Sequence, residues 1–296
     1  MPEPLARAES EEVFHEPAFP VELSLQNFEQ FADLITRRLG IRMSEAKRTM
    51  LQGRLTCRIR QLRLAGFEQY LQCLLHSPDA EREFVHFTDA VTTNKTDFFR
   101  EPQHFEYLAN HALPSLDRSP HSPCWMAKVW CAGCSSGEEA WTLAMVLSEY
   151  AGRRRGFDFS ILATDISTRV LACAHQATYP RTLAEPVPAP WRSRYLFSSR
   201  DASHRLVRIV PELRRKVTFE RLNFMDRAYG VGAAFDAVFF RNVMIYFDKP
   251  TQEAVVNRIC GHLRSGGYLF VGHSESLAGL NVPLRQAAIA VYRKAG

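Results

Sequence analysis

The fold of this 296-residue chain is decided by one stretch, residues 129–147, which reads VWCAGCSSGEEAWTLAMVL. An apolar run ends at Cys131, a turn of small residues holding Gly133 and Gly137 follows, and a helical pattern starts at Glu138. This order predicts a β-strand, a tight turn and an α-helix. Ligands of open α/β sheets bind beyond the carboxyl ends of the strands, so the turn is a candidate ligand site.

Acidic side chains beside this turn favour one class of ligand. Glu138 and Glu139 fall in the first turn of the predicted helix, where they would repel the pyrophosphate of a dinucleotide. S-adenosylmethionine carries a sulfonium and an ammonium group, so it fits the two carboxylates better. The alternative interpretation is that they only complement the helix dipole. Asp165 ends the next predicted strand, where an acidic residue commonly accepts hydrogen bonds from ribose hydroxyls; the competing role of helix N-cap suits Ser167 better.

The remainder of the chain after residue 92 alternates short apolar runs with helical patterns. This alternation predicts right-handed βαβ units and an α/β domain over residues 92–296 with a doubly wound, mostly parallel sheet. The run AAIAVYRK at the end of the chain is predicted as an edge strand. Residues 178–219 interrupt the alternation with prolines and the strand-like runs RYLFSS, RLVRIV and KVTFER, and they predict a small inserted antiparallel β-subdomain.

Residues 21–91 predict an all-α domain, and residues 1–20, rich in Glu, Pro and Ala, predict a flexible leader. The first helix presents an apolar face and stops at Gly40. Ser44 is expected to cap the second helix, whose buried stripe would include Met50. A different face of that helix carries the basic residues Lys47, Arg54 and Arg58. Such a face fits an acidic helical bundle, although RNA or plain solvation would also explain it.

Composition narrows the class of protein further. The chain has no apolar run long enough for a membrane span and no signal peptide pattern, so a cytoplasmic location is expected. Seven scattered cysteines fit a reducing compartment. Cys131 and Cys134 form a C-x-x-C pair, but the chain has no second pair, so no metal site is predicted. We interpret the two cysteines as small residues in the wall of the site rather than as a thioredoxin-like redox pair.

Two polar segments are candidates for the substrate side of the site. TTNKTDFFRE, residues 92–101, joins the two predicted domains and sets Arg100 beside an apolar Phe pair. FFRNVMIYF, residues 239–247, places Arg241 and Asn242 where a strand meets the ligand crevice, with Tyr246 about one turn later.

The chain resembles the chemotaxis receptor methyltransferase family, called CheR. The resemblance covers most of residues 24–292 and rests on five segments in this order and spacing: TTNKTDFFRE, AGCSSGEEAWTLAM, LATDIS, FFRNVMIYFDK and LFVGHSES. It implies transfer of a methyl group from S-adenosylmethionine to glutamate side chains in the cytoplasmic helical bundle of a chemoreceptor. S-adenosylhomocysteine would be the second product, and the enzyme is expected to act as a monomer.

The resemblance also assigns individual residues. Arg100 and Tyr246 are implied to act near the transferred methyl group. A receptor tail peptide is a possible ligand of the β-subdomain, although the loop SSRDASH departs from the Gly-rich pattern of relatives. The residues implied to line the cofactor pocket are Asn94, Thr96, Arg100, Glu139, Asp165, Asn223, Phe224, Arg241 and Asn242.

Three other functions compete with this interpretation. A methyltransferase of the same fold acting on nucleic acid or a small molecule is disfavoured, because RNVMIY stands where base-modifying enzymes often carry Asn/Asp-Pro-Pro-aromatic; no nucleic-acid partner is therefore expected. A non-catalytic receptor-binding module is disfavoured by the complete set of pocket residues. A nicotinamide-dependent oxidoreductase is disfavoured by the two glutamates at the turn.

Overall fold

The computed structural model describes residues 22–117, 124–199, 205–232 and 234–296. The predicted leader, residues 1–20, lies outside this part of the chain. Within it, no helix is long and apolar enough to cross a membrane.

Four helices build the N-terminal region around an aromatic core. The rings of Phe31, Tyr70 and Phe87 are fully buried and pack on one another, with the Phe31 and Phe87 centroids 5.9 Å apart. The first helix ends as predicted at Gly40, whose φ of 71° is the left-handed conformation that glycine adopts easily. The helices are α1 (Leu25–Leu39), α2 (Arg48–Gln61), α3 (Phe67–His76) and α4 (Ala80–Val91).

The start of α2 differs from the prediction. Ser44 makes no capping hydrogen bond, because a 3₁₀ turn over Glu45–Lys47 intervenes and the α-helix begins only at Arg48. Leu51 is buried as expected, but Met50 is 37% exposed. Both predictions, the Ser44 cap and the burial of Met50, are therefore wrong.

Arg58 has a structural role that the docking prediction did not foresee. Its guanidinium donates two hydrogen bonds to the Glu83 carboxylate, at 2.8 and 2.6 Å, and the Tyr70 hydroxyl donates a third. Burial alone would raise the pKa of Glu83, but these hydrogen bonds outweigh burial and hold it below its usual range. Arg54 donates to the backbone carbonyls of Val91 and Thr92. Both guanidinium groups are therefore already hydrogen-bonded within the N-terminal helical region.

The second part of the chain contains ten strands and seven further α-helices among the described residues. The strands are β1 (Trp125–Ala132), β2 (Phe157–Asp165), β3 (Thr178–Pro180), β4 (Leu196–Ser198), β5 (Leu206–Ile209), β6 (Val217–Arg221), β7 (Phe235–Phe240), β8 (Leu263–Val271), β9 (Leu284–Ala288) and β10 (Val291–Lys294). The helices are α5 (Gln103–Tyr107), α6 (Leu113–Leu116), α7 (Glu138–Arg153), α8 (Thr168–Gln176), α9 (Ala189–Tyr195), α10 (Pro211–Arg214) and α11 (Lys249–His262). Shorter turns are the π-helical Leu108–Ala112 and the 3₁₀ segments Arg181–Ala184 and Met244–Tyr246.

The strands form two sheets. Seven of them lie in the order β6-β2-β1-β7-β8-β10-β9, in which the first five are parallel and β10 runs antiparallel to both of its neighbours. Strands β3, β5 and β4 form a separate antiparallel sheet. The prediction of a mostly parallel α/β sheet with an all-α N-terminal domain and a small antiparallel insertion is confirmed.

Two strand predictions need correction. KVTFER is not part of the antiparallel insertion, because Val217–Arg221 pairs in parallel with β2 at the edge of the main sheet. AAIAVYRK is not one edge strand but spans a hairpin, with Ile289 79% exposed at the turn and β10 paired on both sides. Val291 on β10 is buried, which is consistent with the position of β10 between β8 and β9 inside the sheet.

The helical region packs over the carboxyl ends of the central strands. Arg42 N–H donates to the carbonyl of Tyr246 at 3.0 Å. The Asp89 carboxylate at the end of α4 accepts hydrogen bonds from the hydroxyls of Ser167 and Thr168 at the start of α8. These contacts leave a cleft between the helices and the sheet.

Candidate active site

A cavity of about 370 Å³ occupies this cleft, within the size range of small-molecule sites. Its floor is the carboxyl end of β1, β2 and β7, and its outer wall comes from the N-terminal helices. The structure brings together around this cavity every residue predicted for cofactor binding or catalysis: Asn94, Thr96, Arg100, Glu139, Asp165, Asn223, Phe224, Arg241, Asn242 and Tyr246. Of the predicted docking residues, Lys47 also lines the cavity, whereas Arg54 and Arg58 do not.

The turn after β1 needs glycine at two positions. Gly133 has a φ of +87°, and a Cβ there would lie 2.6 Å from Val243 Cγ2. Gly137 has a φ of +97°, and its Cβ would lie 2.8 Å from Ala174 Cβ. Both positions combine a left-handed backbone with close packing, so a larger side chain would displace the turn.

Asp165 ends β2 as predicted and faces the turn. Its carboxylate accepts hydrogen bonds from the backbone N–H groups of Ser135, at 2.8 Å, and Ser167, at 3.0 Å. Burial raises the pKa of Asp165, and the backbone hydrogen bonds oppose that shift. Ser167, as expected, is the N-cap of α8. Each carboxylate oxygen has a further lone pair, which suits acceptance of hydrogen bonds from ribose hydroxyls.

Arg241 lies at the centre of the site with its side chain completely buried. Its Nη1 donates to Glu139 Oε2 at 2.8 Å. Its Nη2 donates to the carbonyl oxygen of Arg100 at 2.5 Å and to Glu101 Oε2 at 3.0 Å. One guanidinium therefore joins the first turn of α7 to the segment that carries Arg100.

This pairing changes the electrostatic argument made from the sequence. Glu139 lines the cavity, but its carboxylate is already paired with the guanidinium of Arg241 and is therefore not an isolated negative charge. Glu138 does not line the cavity; its carboxylate accepts from the Ser136 hydroxyl at 2.7 Å, and burial raises its pKa. Of the two glutamates, only Glu139 lines the cavity, as an oriented hydrogen-bond acceptor.

Glu275 holds the turn that carries Asn242 and Tyr246. It accepts hydrogen bonds from the backbone N–H groups of Asn242, Ile245 and Gly272, at 2.8, 3.3 and 2.7 Å. Asn242 has a φ of +59°, a conformation that asparagine tolerates better than most residues. Sequence reasoning missed Glu275, although the GHSES segment contains it, because nothing local shows which backbone its carboxylate reaches.

The 92–101 segment forms the opposite rim of the cavity. Asn94 accepts a hydrogen bond from the Thr92 hydroxyl at 3.1 Å. Arg100 Nη1 donates to the carbonyl of Lys95 at 3.2 Å, which holds the guanidinium across the segment. Phe99 and Glu101, on either side of Arg100, both have positive φ, so the chain turns sharply at this residue.

Asn223 and Phe224 complete the wall after β6. Phe224 is buried and packs edge-on against Phe240, with centroids 4.9 Å apart. The Asn223 amide donates to the carbonyl of Arg38 at 2.8 Å and accepts from Met225 N–H. Asn223 therefore also ties the N-terminal helices to the sheet, which the sequence did not indicate.

Cys131 and Cys134 behave as wall residues. Both are buried and unbridged, and Cys131 Sγ donates to Glu139 Oε1 at 3.3 Å. Burial raises the pKa of both thiols well above the usual value, so neither forms the thiolate that redox chemistry or metal binding needs.

Two family models match the chain. The model described as "CheR methyltransferase, all-alpha domain" matches residues 26–92, and "CheR methyltransferase, SAM binding domain" matches residues 94–292. The chain belongs to the CheR methyltransferase family. Its cofactor is S-adenosylmethionine, and the cavity fits this ligand: Asp165 suits the ribose, Phe224 offers an apolar wall, and Glu139 offers an acceptor.

Named relatives support the same assignment over most of the chain. The chain is 38% identical over 272 residues to chemotaxis protein methyltransferase 2 of Pseudomonas aeruginosa, covering 91% of this chain and 93% of the relative. It is 34% identical over 276 residues to the chemotaxis protein methyltransferase of Borreliella burgdorferi, covering 93% and 96%. It is 38% identical over 258 residues to the enzyme of that name from Escherichia coli, covering 87% of both chains.

Proposed function

We propose that this protein transfers the methyl group of S-adenosylmethionine to glutamate carboxylates in the cytoplasmic helices of a chemoreceptor, forming glutamyl methyl esters. The observation that carries the proposal is the shared cavity: Arg100 and Tyr246 line the same space as Asp165 and Glu139. A carboxylate entering beside Arg100 would therefore lie next to the cofactor. Receptor helices of this kind are cytoplasmic, so we place the enzyme in the cytoplasm.

The main requirement of this reaction is that the protein positions the acceptor carboxylate and the methyl donor. A glutamate carboxylate is already ionised at pH 7, so methyl transfer to it needs no general base. S-adenosylmethionine supplies an electrophilic methyl group, and the opposite charges of the two reactants disappear as the ester forms. Holding the two groups in line can contribute about 7–11 kcal/mol in favourable systems. Arg100 would orient the acceptor carboxylate, and the Tyr246 hydroxyl would steer it from the facing rim.

A transfer assay with radiolabelled S-adenosylmethionine and a receptor cytoplasmic fragment tests the proposal. We expect label on the receptor that mild alkali releases as methanol, because carboxyl esters hydrolyse in base. Label on the fragment that resists alkali would indicate another acceptor atom. Label on added nucleic acid would instead indicate a nucleic-acid methyltransferase. Cofactor binding without any transfer would favour a non-catalytic receptor-binding module.

The role of Tyr246 is tested by Tyr246→Phe. We expect kcat to fall roughly 10–100-fold, the cost of a small misplacement of reacting groups, with little change in the Kd for S-adenosylhomocysteine. Tyr107→Phe, which removes the hydroxyl of a half-buried tyrosine outside the cavity, is the matched control. An equal loss of kcat and cofactor affinity would show that Tyr246 supports the pocket rather than the acceptor.

We propose that the receptor docks on the N-terminal helices beside Lys47, where the cavity opens between the two parts of the chain. Arg54 and Arg58 would act there indirectly, by holding α2 in place through Thr92 and Glu83. Charge reversal at Arg58 would set a like charge against a buried carboxylate, so it would report on folding rather than docking. We also propose that the chain divides into an N-terminal docking domain, residues 21–91, and a methyltransferase domain, residues 92–296.

Docking is tested by Lys47→Glu. We expect KM for the receptor fragment to rise about tenfold, with a weaker dependence on salt, because a cation at the rim attracts an acidic partner. Arg63→Glu is the matched control, since Arg63 is exposed just beyond the end of α2. Equal effects of both variants would indicate a general charge effect, and no effect of Lys47→Glu would refute docking at this face.

The β-subdomain is the proposed site for a receptor tail peptide. Strand β4 is an edge strand of the small sheet, and Phe197 on it is 58% exposed. An extended peptide could add to such an edge through backbone hydrogen bonds. The polar loop SSRDASH lies mostly outside the described residues.

A further inference from the structure

Beside the cofactor cavity, a second cluster of side chains has no role in the proposed reaction. Glu101 lies just before α5, His104 lies in the first turn of α5, and His273 lies in the loop after β8. Their candidate ligand atoms all lie within 4.8 Å of one another. Residues so far apart in sequence meet only because α5 packs beside the carboxyl end of β8, as the 5.8 Å contact between the rings of His104 and Phe270 shows.

His104 is the unusual member of the cluster. Its side chain is 2% exposed, and neither ring nitrogen makes a hydrogen bond among the described residues, although Nδ1 lies 3.5 Å from Oε2 of Glu101. Leaving a buried polar atom without a partner is unfavourable, so such an atom needs an explanation, and an ion or a bound water is a common one. The His104 ring also packs edge-on against that of His273, with centroids 4.7 Å apart.

We propose that Glu101, His104 and His273 form a binding site for one zinc ion. Two imidazoles and one carboxylate are a ligand set that Zn²⁺ accepts, with a fourth position left for water. His273 is exposed, which gives the ion and that water a route from solvent. Sequence analysis did not predict this site, because Glu101 and His104 are close in sequence but their third partner, His273, is about 170 residues away.

The positive charge of the neighbouring Arg241 would repel a metal ion, but this charge is balanced by two carboxylates. Its guanidinium donates to Oε2 of Glu101 and is paired on its other side with Glu139. Oε2 of Glu101 also lies 3.5 Å from Nδ1 of His104, so this one oxygen would bind the metal while it accepts the hydrogen bond from Arg241. Ligating carboxylates are commonly hydrogen-bonded in this way by residues outside the metal site.

A zinc ion here would connect both rims of the cavity. Glu101 follows Arg100, and His273 precedes Glu275, which holds the turn of Asn242 and Tyr246. The backbone N–H of His273 already donates to Glu101 at 3.2 Å, so the two segments are in contact without the ion. The metal would add a bond to this contact and stabilise the position of the two segments; it would take no part in methyl transfer, which needs no Lewis acid.

The test is metal binding by the full chain in the absence of cofactor and receptor. After removal of metals with a chelator, the protein is titrated with Zn²⁺ against a chromophoric chelator, and Co²⁺ is used to detect four-coordinate geometry by its visible absorption. We expect one tight site per chain and a higher Tm with zinc. His273→Ala should weaken that site at least tenfold and abolish the Co²⁺ spectrum, because it removes a direct ligand.

The matched control is His76→Ala, an exposed histidine at the end of α3. It should leave both readouts unchanged. His104→Gln, checked for folding by its Tm without metal, should lose the site as His273→Ala does. Absence of stoichiometric zinc binding by the unmodified chain, or equal binding by His273→Ala, as zinc held by surface cysteines would give, overturns the proposal whatever the outcome of the methyl-transfer assay.

Discussion

The site depends most on a single buried cation, the guanidinium of Arg241. It reaches the first turn of α7 through Glu139 and the 92–101 segment through Glu101 and the carbonyl of Arg100. Removing one member of such a buried pair typically costs about 3–5 kcal/mol, because the remaining charge is left without a partner. The two walls of the cavity are therefore positioned relative to each other by electrostatics, while the sheet beneath them is positioned by apolar packing.

The other parts of the site are arranged around that pair. The turn after β1 can lie close to the ligand because Gly133 and Gly137 accept left-handed backbone conformations. Asp165 is oriented by two backbone N–H groups, and the turn bearing Tyr246 is oriented by Glu275. The groups that would touch cofactor or substrate are thus held in place by hydrogen bonds from neighbouring residues, as expected for catalysis by positioning.

Much of this could be predicted from sequence. Periodicity and the glycine turn predict the parallel sheet and place Asp165 and Glu139 at its ligand edge, because those signals are local. Resemblance to the CheR family predicted ten of the residues that line the cavity. What failed has a common physical cause: the pairing of Arg58 with Glu83, of Glu139 with Arg241 and of Glu275 with the Asn242 turn each joins residues 25 to 102 positions apart. A basic or acidic residue looks uncommitted in a sequence until the fold supplies its partner.

The strand errors have a similar origin. Val217–Arg221 has the composition of a short antiparallel strand, and only its pairing with β2 assigns it to the main sheet. The exposed turn at Ile289 divides an apolar run that contains no obvious turn residue, so the hairpin was invisible to pattern analysis.

The central claim is that Arg241 organises the S-adenosylmethionine site. Its most direct test is calorimetric titration of S-adenosylhomocysteine into Arg241→Gln, with the exposed Arg285→Gln on β9 as control. We predict that Arg241→Gln lowers affinity at least about 100-fold, the equivalent of roughly 2.7 kcal/mol, while Arg285→Gln binds as the unmodified chain does. Unchanged affinity in a folded Arg241→Gln variant would contradict the account.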